Sequence, residues 1–362
     1  MKSSWRLKSL IPLIVSLFYS SSAQDSLYFE SSTGNYIIQY VGETLEGRDT
    51  TVRVVFEPAT KIIPNISCSF LVLLDKDASE YSYKISNGNG AIQTVSRFMI
   101  EFGDVSVVTK PNNHGWRDAR QRELEADSLL VLNRWAWSGT GDKGLSPGAI
   151  KEGFVLKSDG IAGIVNAYFR GRTAILKSPA GGPGPDLAKK IAALRIFPAD
   201  HVVRKTLGPV KLPTTVTSFF FLDTLLSYTR QSSELGWLGR DRDNDCDNDE
   251  KPEVGIVRNI EQRLKKAKRQ LERRDSVLAR RELEKLVSKV ERLWKRSQDD
   301  EERKHGRDRK NWWRRDKGDR IVMTSEAYAL LKYNTEYLID RLLDESSRRP
   351  DRKPKKGSKD QD

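Results

Sequence analysis

Between Asp241 and Glu250 an aspartate recurs at every second position: Asp241, Asp243, Asp245, Asp247 and Asp249. Carboxylate oxygens at such spacing are hard ligands that suit Ca²⁺. The run departs from an EF-hand loop at two decisive places. Counted from Asp241, Cys246 stands where the turn glycine belongs and Pro252 where the bidentate glutamate belongs. Two readings stay open, a calcium loop or an acidic linker held extended by self-repulsion. No other cofactor is expected.

Two further constellations suit binding rather than catalysis. Trp135 and Trp137 lie two residues apart, so on a strand they share one face, which could offer sugar rings a stacking platform or close a core. From Arg303 to Arg320 the chain holds nine Lys/Arg against three acids, with Trp312 and Trp313 among Arg309, Lys310, Arg314 and Arg315. Cations interleaved with aromatic rings suit single-stranded nucleic acid or acidic polysaccharide. A solvated, disordered loop would have the same composition. An enzyme is not expected. The chain shows no nucleophile elbow, no His-containing metal motif and no Gly-rich phosphate loop, and Glu123 and Glu125 cannot be placed across a cleft from sequence.

The elements that must carry these groups fall in order along the 362 residues. Lys2, Arg6 and Lys8 precede the apolar run from Leu10 to Phe18, which is too short to span a bilayer, and Ser21-Ser22-Ala23 supplies small residues for cleavage. Residues 1–23 therefore read as a signal peptide, and the mature protein as secreted, extracellular or periplasmic, with no transmembrane segment. In an oxidising compartment Cys68 and Cys246 could pair, which their separation in sequence leaves open. The Asn65-Ile66-Ser67 sequon matters only in a host that glycosylates secreted proteins.

Residues 24–177 read as an antiparallel β-sandwich. Short β-branched runs such as Thr51–Phe56 alternate with charge, and turn signals separate them. Ser86–Ala91, with its Asn-Gly-Asn-Gly core, predicts a hairpin between the strands ending near Ile85 and starting near Ile92. Pro147-Gly148 predicts a type II turn, and Asp118–Ala126 reads as a loop excursion. Residues 178–215 form a Pro/Gly-rich linker with one further strand expected over Ala192–Val203.

Residues 216–344 read as a small antiparallel helical bundle. A helix is expected over Val216–Gln231. Ile256, Ile260, Leu264, Ala267 and Leu271 then keep within an arc of roughly 80° on a helix, as does the stripe from Ala279 to Trp294. Asp275 or Ser276 is placed to cap the second of these, and Thr324 the last helix, whose stripe runs from Ala327 to Leu342. Asn334 lies inside that stripe, so its amide is expected to bond backbone groups within the bundle. The acidic loop 241–250 and the basic insert 296–320 interrupt the module, and 345–362 is a low-complexity basic tail. Charge divides unevenly: residues 24–253 hold 27 Lys/Arg against 29 Asp/Glu, residues 254–362 hold 33 against 21. An anionic partner or a solvated basic face would account for this.

Two stretches resemble known families. Gly115-Trp116, Trp135-Ala136-Trp137, Leu145-Ser146-Pro147-Gly148, Gly153-Phe154 and Tyr168-Phe169-Arg170-Gly171 are similar in order to an Ig-like sandwich of secreted bacterial proteins, over about residues 80–172. Gly236-Trp237, Gly255-Ile256 and above all Ser325-Glu-Ala-Tyr-Ala-Leu-Leu-Lys-Tyr-Asn-Thr-Glu-Tyr-Leu-Ile339 resemble the bacterial FIMAH-type helical module, over about residues 217–343. Family members pass quickly from the second helix to the third, whereas this chain inserts 296–320. The resemblances imply an α+β, non-catalytic, secreted interaction or structural protein. Its partner would be another protein or an envelope glycan, with no intracellular nucleic acid. The rival expectation is carbohydrate or polyanion recognition through the exposed tryptophans and the basic residues.

Overall fold

A computed structural model describes residues 25–43, 47–73, 78–103, 105–109, 115–125, 128–138, 144–173, 183–212, 216–241, 254–305 and 320–347. Three strands come first, β1 (Ser26–Glu30), β2 (Asn35–Glu43) and β3 (Asp49–Phe56). Eight follow: β4 (Pro64–Val72), β5 (Ser79–Asn87), β6 (Val95–Phe102), β7 (Val107–Thr109), β8 (Trp116–Glu125), β9 (Ser128–Trp137), β10 (Ile150–Ser158) and β11 (Ile161–Gly171). Then come α1 (Pro185–Ala193), β12 (Val202–Val210), α2 (Ser218–Glu234) and β13 (Leu238–Asp241). The chain closes with α3 (Val254–Glu272), α4 (Ser276–His305), β14 (Arg320–Met323) and α5 (Ser325–Ser347). The architecture is α+β, β-rich first and helical last.

The chain divides into two compact units, Met1–Pro58 with Ala174–Ile196, and Ala59–Thr173 with Phe197–Asp362. In the first, β1, β2 and β3 form an antiparallel sheet in that order. Ile38, Tyr40 and Phe56 on one face bury Leu187 of α1. Pro185 at the start of α1 supplies a φ already suited to a helix and lacks the N–H that would go unpaired there. The strands at the start of the chain thus belong to a sheet of their own, apart from the sandwich expected to hold them. Alternation marks a strand with one buried face but not the sheet that buries it.

The second unit contains a sandwich of two antiparallel sheets, ordered β4-β5-β10-β7 and β12-β11-β6-β9-β8. Phe98 sits at its centre. Its ring stacks on Trp135 at 4.8 Å and 13°, and meets Phe154 edge-on at 4.7 Å. Tyr83 Oη donates to the Leu207 carbonyl at 3.1 Å, so a buried hydroxyl ties one sheet to the other.

Four local expectations are corrected. The Asn-Gly-Asn-Gly turn links β5 to β6, which lie in different sheets, so it reverses the chain without making a hairpin. Residues 118–125 belong to the edge strand β8, paired to β9 from Trp116↔Trp137 to Glu125↔Ser128. An edge strand tolerates the charges of this stretch, and they also blunt the edge. No strand spans Ala192–Val203: α1 ends at Ala193, Phe197-Pro198 is cis, and β12 starts at Val202. The region 296–320 begins inside α4, which continues to His305. The Pro147-Gly148 turn is type II as expected, with Gly148 at φ +77° and Ala149 N–H donating to the Ser146 carbonyl at 3.0 Å.

Helices α2 to α5 enclose a second core. Ile260, Leu264, Ala267, Ala279, Leu283, Leu286, Val290, Leu331 and Leu338 are fully buried in it. Arg274 ends α3 at φ +61°, where Asp275 N–H reaches the Gln270 carbonyl and Arg274 N–H the Leu271 carbonyl. Asp275 then caps α4, its Oδ1 accepting from Leu278 N–H at 2.8 Å. So short a reversal makes α3 and α4 antiparallel neighbours. Thr324 precedes α5, but its buried hydroxyl makes no hydrogen bond. The helix's first residues turn instead to the sandwich, and Ala329 and Leu330 enter the sandwich core.

Candidate anion-binding face of the helical module

On α4 the residues Arg281, Lys285, Lys289 and Arg292 follow i, i+4, i+8 and i+11. At 100° per residue they occupy an arc of roughly 80°. The apolar stripe turns Leu283, Leu286 and Val290 inward, and this fixes the cations outward on the same helix. Arg263 of α3 joins them. Arg263, Arg281, Glu284, Lys285, Ser288 and Arg292 line one shallow surface cleft.

The acids of this face neutralise it only in part. Glu282 takes Lys285 Nζ at 2.7 Å and Arg263 Nη1 at 3.4 Å. The Lys285 hydrogen bond is the main reason that the Glu282 carboxyl is held below its ordinary range. Glu284 takes Arg280 Nε at 3.2 Å. Among the described residues Arg281 and Lys289 have no carboxylate within 4.0 Å. Lys289 is half-buried, and its ammonium is pushed below its ordinary value first by that burial, then by the charges of Arg263 and Arg292. Like charges four residues apart on a helix cost about 0.2–0.5 kcal/mol per pair. This face therefore carries a repulsion that an anion would relieve. The whole stretch 254–298 holds 15 Lys/Arg against 6 acids. The period of the cations was present in the sequence, but their lack of partners was not.

The residues singled out for binding lie elsewhere. Trp135 is fully buried, stacked on Phe98, so it is core and cannot receive a sugar ring. Trp137 shares its face, as the two-residue spacing requires, and is partly covered. Trp116 meets it edge-on at 6.2 Å, and a Cβ on Gly115 would lie 2.4 Å from its ring. Both indole N–H groups are buried without partners, so the pair forms the wall of the sandwich. Arg309, Lys310, Trp312, Trp313, Arg314 and Arg315 lie outside the described residues, as do Asp243, Asp245, Asp247, Asp249, Cys246 and residues 1–23. Asp241 ends β13, its backbone paired with Arg320 of β14. Among the described residues no group of three His, Cys, Asp or Glu side chains is placed to hold a metal ion, and no helix is long and apolar enough to cross a membrane.

No protein-family model matches the chain, and no curated protein matches it. Among solved structures it is similar to an uncharacterised protein from Nocardia farcinica, described as having an immunoglobulin-like fold. That match has 15% identity, covers 41% of this chain and 98% of the other, and has a TM-score of 0.24.

Proposed function

We propose that this is a secreted, non-catalytic interaction protein that docks through its helical module, of FIMAH type, onto a polyanionic partner such as an acidic envelope glycan. The observation that carries this reading is the cation stripe Arg281–Lys285–Lys289–Arg292 with Arg263 beside it, where Arg281 and Lys289 lack a carboxylate among the described residues. Regularly spaced cations on a rigid helix match the repeating charge of a polymer chain, and such contacts weaken steeply with salt. The basic n-region and short apolar core at the N-terminus support export, which would give the module access to envelope and extracellular polymers. The sandwich supports the bundle that does the docking, since Ala329 and Leu330 of α5 enter the sandwich core.

The test compares elution from immobilised heparin for the full chain and for K289Q/R292Q, with the basic tail present in both. Elution of the variant at clearly lower NaCl is expected. Elution of both proteins at the same salt would remove the α4 face from the reading, whatever the tail contributes.

A further inference from the structure

The outer face of the five-stranded sheet is charged at both ends, and the two ends differ. At one end the charges are matched: Lys205 Nζ donates to Asn166 Oδ1 at 2.7 Å, and Asn166 Nδ2 donates to Glu101 Oε2 at 2.8 Å. Four residues along β11 the pattern changes. Arg170 stands directly opposite Arg97 of β6, and Arg134 of β9 stands opposite Met99, one step diagonal to Arg97. Like charges directly opposite in a sheet are destabilising. Among the described residues only Arg170 of the three has a carboxylate at ion-pair distance. Its Nε lies 2.9 Å from Oδ2 of Asp200, which is buried and whose Oδ1 lies 2.5 Å from His201 Nδ1. Arg97 and Arg134 have no carboxylate partner among the described residues, and Arg134 Nε is buried without any hydrogen bond.

The surroundings make this a built surface rather than loose side chains. Met99, Leu132, Tyr168 and Phe197 form a small buried cluster on this same face. Phe197 packs on Tyr168 with ring centroids 4.7 Å apart. Arg97 and Arg134 are themselves half-buried, and strand register puts them on the same face as this cluster. Burial, then the charges of Arg170 and Arg134, push the Arg97 pKa down, and the more weakly felt carboxylates of Asp200 and Glu123 only partly oppose them. Diagonal neighbours in an antiparallel pair lie roughly 7–8 Å apart, near enough for two long guanidinium arms to converge on one group. A planar fork with paired donors is matched best by an oxyanion.

We propose that Arg97 and Arg134 form an oxyanion-binding site, for a carboxylate, sulfate or phosphate group, on the outer face of the five-stranded sheet. It is independent of the α4 face, because it lies on different elements and rests on different residues. The Asp200 carboxylate, 2.9 Å from Arg170 Nε, occupies that arginine, so two cations are left for one ligand group.

The test measures thermal unfolding of the full chain against sodium sulfate, sodium phosphate and sodium acetate, each at ionic strength matched with NaCl. A ligand that binds only the folded state raises Tm along a saturating curve, whereas the general salting-out effect of sulfate rises without saturation. A saturating rise is expected for the wild type and for K289Q/R292Q, and its loss for R97Q/R134Q. The anion that saturates at the lowest concentration identifies the source chemistry. R97Q alone is expected to raise Tm in NaCl, since it removes the like charge opposite Arg170. If R97Q/R134Q does not fold, R97K/R134K keeps both charges but loses the forked donors, and the saturating rise should weaken in it. The absence of a saturating rise in the wild type with all three anions, or an equal rise in the Arg97/Arg134 variants, overturns the proposal. Loss of the rise only in K289Q/R292Q would assign the anion to the α4 face instead.

Discussion

Asn334 Nδ2 donates to the Ala162 carbonyl at 2.8 Å, so a buried amide on α5 is satisfied by strand β11 of the sandwich rather than by its own bundle. The amide was expected to be buried and bonded to backbone, and it is. What differs is the element that holds the carbonyl. With Ala329 and Leu330 in the sandwich core, the fourth helix of the bundle is also part of the sandwich wall.

Asn334→Leu is accordingly expected to cost stability even though it makes the stripe uniformly apolar. It strands the Ala162 carbonyl in a closed site, and an unsatisfied buried group costs about 1–3 kcal/mol. Urea unfolding checks this. A midpoint equal to or above that of the wild type would show that the bond contributes nothing.

Glu326 makes the second tie. Its Oε1 accepts the Cys68 N–H at 2.7 Å and Ser325 Oγ donates to the Cys68 carbonyl at 2.9 Å, so the start of α5 completes the free edge of β4. Glu326→Ala is expected to destabilise by about 1–3 kcal/mol. It should also speed hydrogen exchange selectively at the Cys68 amide, whereas uniform acceleration throughout the unit would point to global destabilisation alone.

The Cys68 thiol is pushed well above its ordinary value of 9.0, first by burial and then by the nearby Glu326 carboxylate. It is therefore a poor nucleophile in the folded protein. In a Cys246→Ser background no reaction with a thiol-specific disulfide reagent is expected at pH 8 until denaturant is added. Prompt labelling of the native protein would contradict this burial.

Glu261 carries a pH dependence of definite sign. Its carboxyl is held below the ordinary value of 4.5, chiefly by the hydrogen bond from Arg230 Nε at 2.7 Å and further by that from Lys265 Nζ at 2.9 Å. A lowered folded value means that the contribution is present at neutral pH and is lost as pH falls through the folded value. Arg230 is largely exposed, so the size stays under about 1 kcal/mol. Arg230→Met should therefore lower Tm slightly at pH 7, and the difference should vanish as pH falls through the folded value of Glu261. An unchanged Tm at pH 7 would show that the pair is fully screened.

The helical half was the more legible. The stripe from Ile256 to Ala267 and the stripe from Ala279 to Leu293 appear as buried rows in the order their spacing requires, and Asp275 caps where it stands. A helix reports its own inner face, because neighbours three and four residues apart are set by the chain itself. Strand alternation reports only a face. It could not assign β1–β3 to a separate sheet, distinguish a hairpin from a crossing at Asn87, or recognise a strand in the charged run after Trp116.

The sites follow the same division. Sequence alone determined that this is an α+β chain with basic helices late and antiparallel strands early, since those properties are local in residue type and period. It also contained the cation period on α4, which is a helical repeat like the apolar one. Only the tertiary structure decided that Trp135 is core, that Arg97 stands opposite Arg170, and that Asn334 answers to Ala162. Each of these joins groups far apart in the chain, on elements whose pairing depends on strand register and on the docking of a helix. Those depend on the summed burial of both cores, which no single stretch of sequence contains.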